Sequence, residues 1–216
     1  MLEKMDDFFA ARIEGYDEHM MSTIEGADVF YEYTATLLPK AEGAKILDLG
    51  CGTGLELEKY FTINPGAGVT GIDLTEAMLK ALKDKFPDKN LSLICGSYFD
   101  EPFGEGVFDA AVSVESLHHF TKEEKIPLYR KLWDALKDGG YFILTDYFSE
   151  SDDEEKYFRQ ELLRQRKEQN LSDDVFYHYD TPLTVEHEKE ALIEAGFSKV
   201  EVMDRWDTTC TLKAVK

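Results

Sequence analysis

The chain has 216 residues, 43% hydrophobic and 31% charged, which suits one α/β domain with its own core and is short for two. That apolar fraction, with six prolines and fifteen glycines, excludes a disordered, fibrous or low-complexity chain. Against 44 acidic residues stand 24 basic ones, a formal net charge of −20, and such a field repels a phosphate backbone at long range.

Residues 1–40 carry apolar side chains at helical spacing (Phe8, Phe9, Ile13, then Val29, Phe30, Tyr33, Leu37, Leu38). Gly15 and Gly26 break this run into short helices and Pro39 ends it. KILDL at 45–49, followed at once by glycines, predicts a buried strand. A helix over 55–61 and a strand over 68–73 follow, and Thr75 caps a helix that stops before Pro87. Strands are expected at 91–95 and 107–114. A long amphipathic helix over 122–137 has Gly139 and Gly140 as its stop, and a fifth strand covers 141–146. Beyond it come a polar helix at 149–170 and an aromatic connector, DDVFYHYDTPLT, at 173–184. A helix at 185–195 closed by Gly196 and a hairpin of 200–206 with 210–214 complete the chain. Strands alternating with helices, each strand nearly continuous in apolar residues, mean a parallel sheet covered on both faces. The one basic cluster, Arg159, Arg164, Arg166 and Lys167, alternates with Glu161 and Glu168 and reads as a solvated helix face. A small molecule is therefore the expected partner, not nucleic acid or a membrane. No run approaches the roughly 18 apolar residues of a membrane span. The amino-terminal stretch has neither the basic nor the apolar region of a signal peptide. Cys51, Cys95 and Cys210 form no CxxC and leave an odd count, which points to a reducing cytoplasm without a disulfide framework or zinc site.

The most informative residues are Asp48-Leu49-Gly50-Cys51-Gly52-Thr53-Gly54, which leave the first sheet strand and open its helix. A glycine-rich turn there lets the backbone approach a ligand closely, at the strand ends where open α/β sheets bind ligands. The third glycine comes one residue too early for a dinucleotide fingerprint, and no Gly-Lys-Ser/Thr ending marks a phosphate loop. The pattern D-x-G-x-G-x-G resembles the signature loop of class I S-adenosylmethionine-dependent methyltransferases, and the resemblance extends over residues 45–146. Gly71-Ile72-Asp73-Leu74-Thr75-Glu76-Ala77-Met78-Leu79 is similar to that family's second motif. Gly96-Ser97-Tyr98-Phe99-Asp100-Glu101-Pro102-Phe103 is similar to its third, with Ser97 where an acid is common. Phe108-Asp109 through Leu117-His118-His119-Phe120, and Leu136-Lys137-Asp138-Gly139-Gly140, resemble two more.

The resemblance implies a Rossmann-like α/β fold: a seven-stranded, mostly parallel sheet with helices on both faces and an antiparallel C-terminal hairpin. It implies one domain: 1–40 a helical lid, 45–146 the cofactor-binding core, 147–183 a cap over the acceptor, and 184–216 the closing helix and hairpin. S-adenosylmethionine is the implied cofactor and S-adenosylhomocysteine the product. Gly50, Cys51, Gly52 and Gly54 would approach the methionine portion, with Asp48 ordering the loop and helping to hold the amino group. Asp73 would accept both ribose hydroxyls, Leu74 and Met78 would flank the adenine, and Gly96, Ser97 and Tyr98 would border it. Tyr16, in a lead-in similar to the family's, would close over the cofactor. Glu115 either faces the sulfonium or sits solvated at the strand tip. Two adjacent histidines at a strand end are expected to face different ways, and no third ligand has metal spacing, so no metal is expected. Cys51 has no paired base, so only its backbone matters. Met20 and Met21 either line an acceptor pocket or pack a helix face. In the connector, Phe176 is expected to pack, whereas Tyr177, His178 and Tyr179 suit a pocket rim.

The implied reaction is methyl transfer to a small molecule by positioning and water exclusion. A base is needed only for an acceptor that carries a proton of high pKa, and His118, His119 and His178 are the candidates. Two other readings remain open: a cofactor-binding protein without turnover, and methylation of RNA. A monomer and a homodimer are equally compatible with the sequence.

Overall fold

β1 (Lys45–Leu49) is buried from its second residue onward and lies in the interior of the sheet. It pairs in parallel with β2 (Gly68–Asp73) on one side and β4 (Phe108–Val114) on the other. β3 (Asn90–Cys95) joins β2, and β5 (Leu136–Tyr147) joins β4, both in parallel. β7 (Thr209–Val215) runs antiparallel to β5 and carries β6 (Lys199–Trp206) at the edge. The order is β3-β2-β1-β4-β5-β7-β6, the mixed seven-stranded sheet expected. The computed structural model describes residues 1–172 and 174–216; Asp173, which opens the aromatic connector, lies outside the described residues.

Side chains alternate between the two faces of the sheet. Ile46, Val69, Val112 and Ile143 pack against α3 (Ala27–Leu37), α4 (Leu55–Ile63) and α5 (Glu76–Lys85). Leu47, Ala111, Phe142, Leu144 and Leu212 pack against α6 (Lys122–Ala135) and α8 (Val185–Ala195). Lys125 and Tyr129 of α6 both bond Glu188 of α8 inside this second layer. α1 (Met5–Ala10) and α2 (Tyr16–Thr23) come first, and Gly15 and Gly26 take left-handed conformations at the starts of α2 and α3.

Four local expectations change. Gly139 and Gly140 do not stop α6. The helix ends at Ala135, and β5 begins at Leu136 and runs through both glycines. Gly139 has φ +74°, and a Cβ on Gly140 would lie 2.8 Å from the Lys137 carbonyl oxygen, so the pair serves an irregular strand start. Thr75 does precede α5, but its side chain makes no capping bond; the Asp73 carboxylate accepts the Thr75 amide instead. The polar helix is shorter than expected, α7 (Asp152–Glu168), and buries no residue. A 3-10 turn at Leu117–His119, which the sequence did not announce, follows β4.

The amino terminus and the aromatic connector hold each other above the carboxyl ends of the strands. The Met5 amide donates to the Phe176 carbonyl at 3.0 Å and the His178 amide to the Glu3 carbonyl at 3.0 Å. The Phe8 ring stacks on His178 with centroids 3.5 Å apart. Among the described residues, no helix is long and apolar enough to cross a membrane.

Candidate active site

The loop after β1 turns through three left-handed glycines, Gly50, Gly52 and Gly54. The Gly50 and Cys51 amides donate to the Ile72 carbonyl at 2.8 and 3.2 Å, which ties the loop to β2. A Cβ on Gly50 would lie 2.0 Å from Ser116 Oγ, so only glycine passes there. At Gly52 a Cβ would meet nothing of the protein nearer than 4.0 Å, because that residue faces an open cleft. Asp73 closes the other side. Its Oδ2 accepts the Gly52 amide at 3.0 Å and its Oδ1 the Thr75 amide at 2.8 Å. Burial nevertheless holds its pKa above the ordinary carboxylate range.

Gly50, Gly52, Asp73, Leu74, Met78, Tyr98, Tyr16 and Glu115 line this cleft together, as the motifs imply. Asp48, Cys51, Gly54, Gly96 and Ser97 do not lie on its wall. Asp48 is buried beneath the loop. Cys51 Sγ packs over Gly71, and Gly54 packs on Leu57 and Leu82. Glu101 closes off Gly96, and Ser97 Oγ accepts the Phe99 amide, which opens a turn. Met5, Phe9, Thr75, Val114 and Ser116 line the cleft without having been expected, and His119, named as a candidate base, lines it too. Ser116 was legible only through the fold, since its neighbour is Gly50 across the sheet.

Behind the loop lies a buried carboxyl pair, Asp48 and Glu56. Asp48 Oδ2 and Glu56 Oε1 have no hydrogen-bond partner outside this pair. Burial first, then the Glu56 charge, pushes the Asp48 carboxyl well up. An acidic, incompletely satisfied group beneath a glycine turn, with a second carboxylate at the end of β2, fits a ligand that bears an ammonium at one end and a ribose at the other.

Beyond Glu115 the chain changes direction. Glu115 has φ +49°, a strained value for a non-glycine residue. It is buried and accepts a bond from Thr209 Oγ1 at 3.2 Å. Burial, then the Asp146 charge, pushes its carboxyl up to about 7. The 3-10 turn that follows brings His118 and His119 to a centroid separation of 4.0 Å. The adjacent histidines therefore converge, contrary to expectation, because they sit on a tight turn and not on an extended strand.

Two aspartates meet them. His118 Nδ1 bonds Asp146 Oδ1 at 2.5 Å, and Asp146 Oδ2 accepts the Leu117 amide at 2.8 Å. Asp180, from the connector, places Oδ1 3.0 Å from His119 Nδ1 and 3.6 Å from His118 Nε2. Burial alone would lower His118, but the Asp146 carboxylate outweighs it and holds the imidazole near about 9. Burial and then the charge of His118 push His119 down to about 4. Burial works against Asp180, yet its histidine neighbours hold it below the ordinary range. Neither Asp146 nor Asp180 was singled out from the sequence. Asp146 stands near the end of β5 and Asp180 in the connector, each remote in the chain from its histidine.

A cavity of about 960 Å³ opens on this cluster. His118, His119, His178 and Asp180 line it, with Phe8, Phe9, Tyr16, Met20, Tyr147 and Trp206. Phe9, Tyr16, Glu115 and His119 border both this cavity and the glycine-loop cleft. Met20 lines the cavity, whereas Met21 is exposed. His178 reaches the rim as expected, while Tyr177 lies under Arg166 and Tyr179 is not on the wall. Phe176 packs against Phe99 and Phe120, in line with its core reading.

Residues 47–144 match the family model of a methyltransferase domain. A methyltransferase of Geobacillus sp. (strain WCH70), itself uncharacterized, is 31% identical over 188 residues, 86% of this chain and 83% of that one. The 24-methylenesterol C-methyltransferase 3 of Arabidopsis thaliana is 30% identical over 134 residues, 58% of this chain but only 36% of its own length. Human N-acetylserotonin methyltransferase, solved in complex with S-adenosylmethionine, shares the fold at a TM-score of 0.67 and 19% identity, covering 98% of this chain and 56% of that one. With the glycine turn, the acid at the end of β2 and a near full-length relative in agreement, the chain belongs to the class I S-adenosylmethionine-dependent methyltransferases, an enzyme whose cofactor is S-adenosylmethionine.

Proposed function

We propose that this methyltransferase acts on a small molecule seated in the 960 Å³ cavity. The observation that carries the reading is the wall of four residues, Phe9, Tyr16, Glu115 and His119, common to cavity and cleft. Two ligands on either side of one side-chain layer stand within reach of each other, and the cavity has the size of a small-molecule site. Gly50 and Gly52 receive the methionine portion on their backbone, Asp73 holds the ribose, and Leu74 and Met78 flank the adenine. Asp48 acts from beneath, by orienting the loop. The bound cofactor supplies a methyl group on a sulfonium, whose departure needs no acid.

The chain's own residues therefore align the acceptor and exclude water. Phe8, Phe9, Tyr16 and Trp206 give the acceptor an aromatic enclosure. Glu14, Glu25, Asp180 and Asp207 on the wall disfavour an anionic acceptor, and Arg12 is held by Glu3 at 3.1 Å. A proton released by the acceptor passes to the histidine–aspartate cluster, of which His119 alone borders both spaces. Residues 1–40 and 147–183 act as the cover of a single domain. The three cysteines, all free, support a reducing cytoplasmic setting.

The test is incubation of the purified protein with methyl-labelled S-adenosylmethionine and, separately, a metabolite extract and total RNA. Label in the small-molecule fraction is the expected result. Label in RNA would overturn the acceptor class, and none in either fraction would favour cofactor binding without turnover.

A further inference from the structure

Three ligand-type atoms converge on the cavity wall: His118 Nε2, His119 Nδ1 and Asp180 Oδ1, all within 4.8 Å of one another. Asp180 Oδ1 stands 3.0 Å from His119 Nδ1, yet this buried nitrogen has no aligned hydrogen-bond partner. A ring nitrogen and a carboxylate oxygen side by side at that separation match neighbouring ligands on one ion. Donors about 2.0–2.2 Å from a metal lie roughly 3.0–3.5 Å apart when they subtend an octahedral or tetrahedral angle.

His118 supplies the supporting half of such a site. Its Nδ1 is engaged by Asp146 at 2.5 Å, and Asp146 is fixed in turn by the Leu117 and Tyr147 amides. That leaves Nε2 to face the cluster, the carboxylate–histidine arrangement that orients metal-bound imidazoles. The Thr181 amide donates to the His118 carbonyl at 2.8 Å, so the backbone itself ties the Asp180 segment to the histidine turn.

We propose that His118, His119 and Asp180 bind one divalent transition-metal ion at the floor of the acceptor cavity. Two imidazoles and one carboxylate suit zinc, manganese, iron or cobalt better than magnesium or calcium, whose preferred donors are all oxygen. The ion replaces the proton on His118 Nε2. Three protein donors leave coordination positions that open on the cavity. An acceptor bearing a hydroxyl or enol oxygen would fill one of them. With these groups on the metal, the acceptor's proton would leave to solvent in the cavity and the metal would favour the ionised oxygen, the form that attacks a methyl group. Metal binding stands independently of the acceptor reading; its use on the acceptor rests on that reading.

The experiment is titration of untagged, chelator-treated protein with cobalt(II) chloride, followed by visible absorption and calorimetry, with no acceptor present. One equivalent per chain with ligand-field bands is expected. Asp180→Asn and His119→Gln should each weaken binding by at least about tenfold while keeping the melting temperature, and Asp180→Asn, which lies off the cofactor cleft, should also keep the affinity for S-adenosylhomocysteine. His187→Gln, at a surface pair with Glu155, should leave cobalt affinity unchanged. Absence of stoichiometric cobalt binding by the wild-type chain would overturn the proposal. So would wild-type affinity in the folded Asp180→Asn or His119→Gln variant. Because no methyl transfer is measured, either result is distinct from failure of the methyltransferase reading.

Discussion

Asp73→Ala separates the two tasks of the acid at the end of β2. In the free protein its carboxylate accepts the Gly52 and Thr75 amides at 3.0 and 2.8 Å. Each such bond to a charged group is worth about 1.5–3 kcal/mol. Burial works against them, and the balance leaves the folded pKa raised. For an acid, a raised folded pKa is a stability cost, absent below the unfolded pKa and fully present above the folded one. Alanine removes the bonds and the cost together, so stability should change by only about 1–2 kcal/mol. At about 2–4 °C per kcal/mol for a domain of this size, the melting temperature falls by less than about 8 °C. The cofactor, by contrast, loses both ribose bonds, worth about 2–4 kcal/mol, or roughly 30- to 1000-fold in affinity. Calorimetry with S-adenosylhomocysteine and differential scanning read the two effects apart. An unchanged affinity would refute the ribose role. A collapse in melting temperature that accounts for the binding loss would show that Asp73 serves the loop alone.

Gly52→Val should keep the fold, at a cost of about 1–2 kcal/mol for its φ of +46°, and lose S-adenosylhomocysteine binding because the side chain enters the cleft. Gly50→Ala should instead lower the melting temperature, because its Cβ would drive against Ser116 Oγ; equal behaviour of the two variants would remove the distinction between them. Glu188→Gln leaves the Lys125 ammonium, 2% exposed, without its counter-charge; the expected loss in a denaturant melt is about 3–5 kcal/mol. Glu190→Gln, which breaks the half-exposed pair with Lys122, should cost less than about 1 kcal/mol in the same melt.

The residues of the proposed cofactor cleft were largely legible because they are contiguous. Gly50, Gly52 and Asp73 lie in two short segments joined by the β1–β2 pairing, and a glycine turn after an apolar strand has few structural meanings. The same motif mixes residues that face the ligand with residues that build the turn. Cys51 and Gly54 belong to the second kind, as their packing on Gly71 and Leu82 shows. The proposed acceptor half was legible only in part: His118, His119 and His178 were named, Asp146 and Asp180 were not. His118, Asp146 and Asp180 come from three separate elements, and only the fold closes the distance between them. Gly139 and Gly140 misled for a local reason: a glycine pair after an amphipathic run signals a helix stop and a strand irregularity equally well.

The cover over both spaces yields the last prediction. Two backbone hydrogen bonds, Met5 to Phe176 and His178 to Glu3, join the amino terminus to the connector and make up the Lys4–Tyr177 bridge. Stacking of Phe8 on His178 adds a side-chain contact, with Arg12 3.6 Å above the Phe8 ring. Met5, Phe9 and Tyr16 line the cofactor cleft, so lifting of this unit would widen the way in. Residues 1–20 and 151–181 should therefore exchange their amide hydrogens fastest in the free protein, slow together when S-adenosylhomocysteine binds, and share one opening free energy. Phe8→Ala removes a ring contact worth about 0.5–1.5 kcal/mol. If the two segments open as a unit, that loss speeds exchange of the Met5 and His178 amides by the same roughly 2- to 12-fold. Faster exchange at Met5 alone would show two independent flaps. Identical protection with and without S-adenosylhomocysteine would show a static wall, and entry to the cleft would then have to run through the acceptor cavity itself.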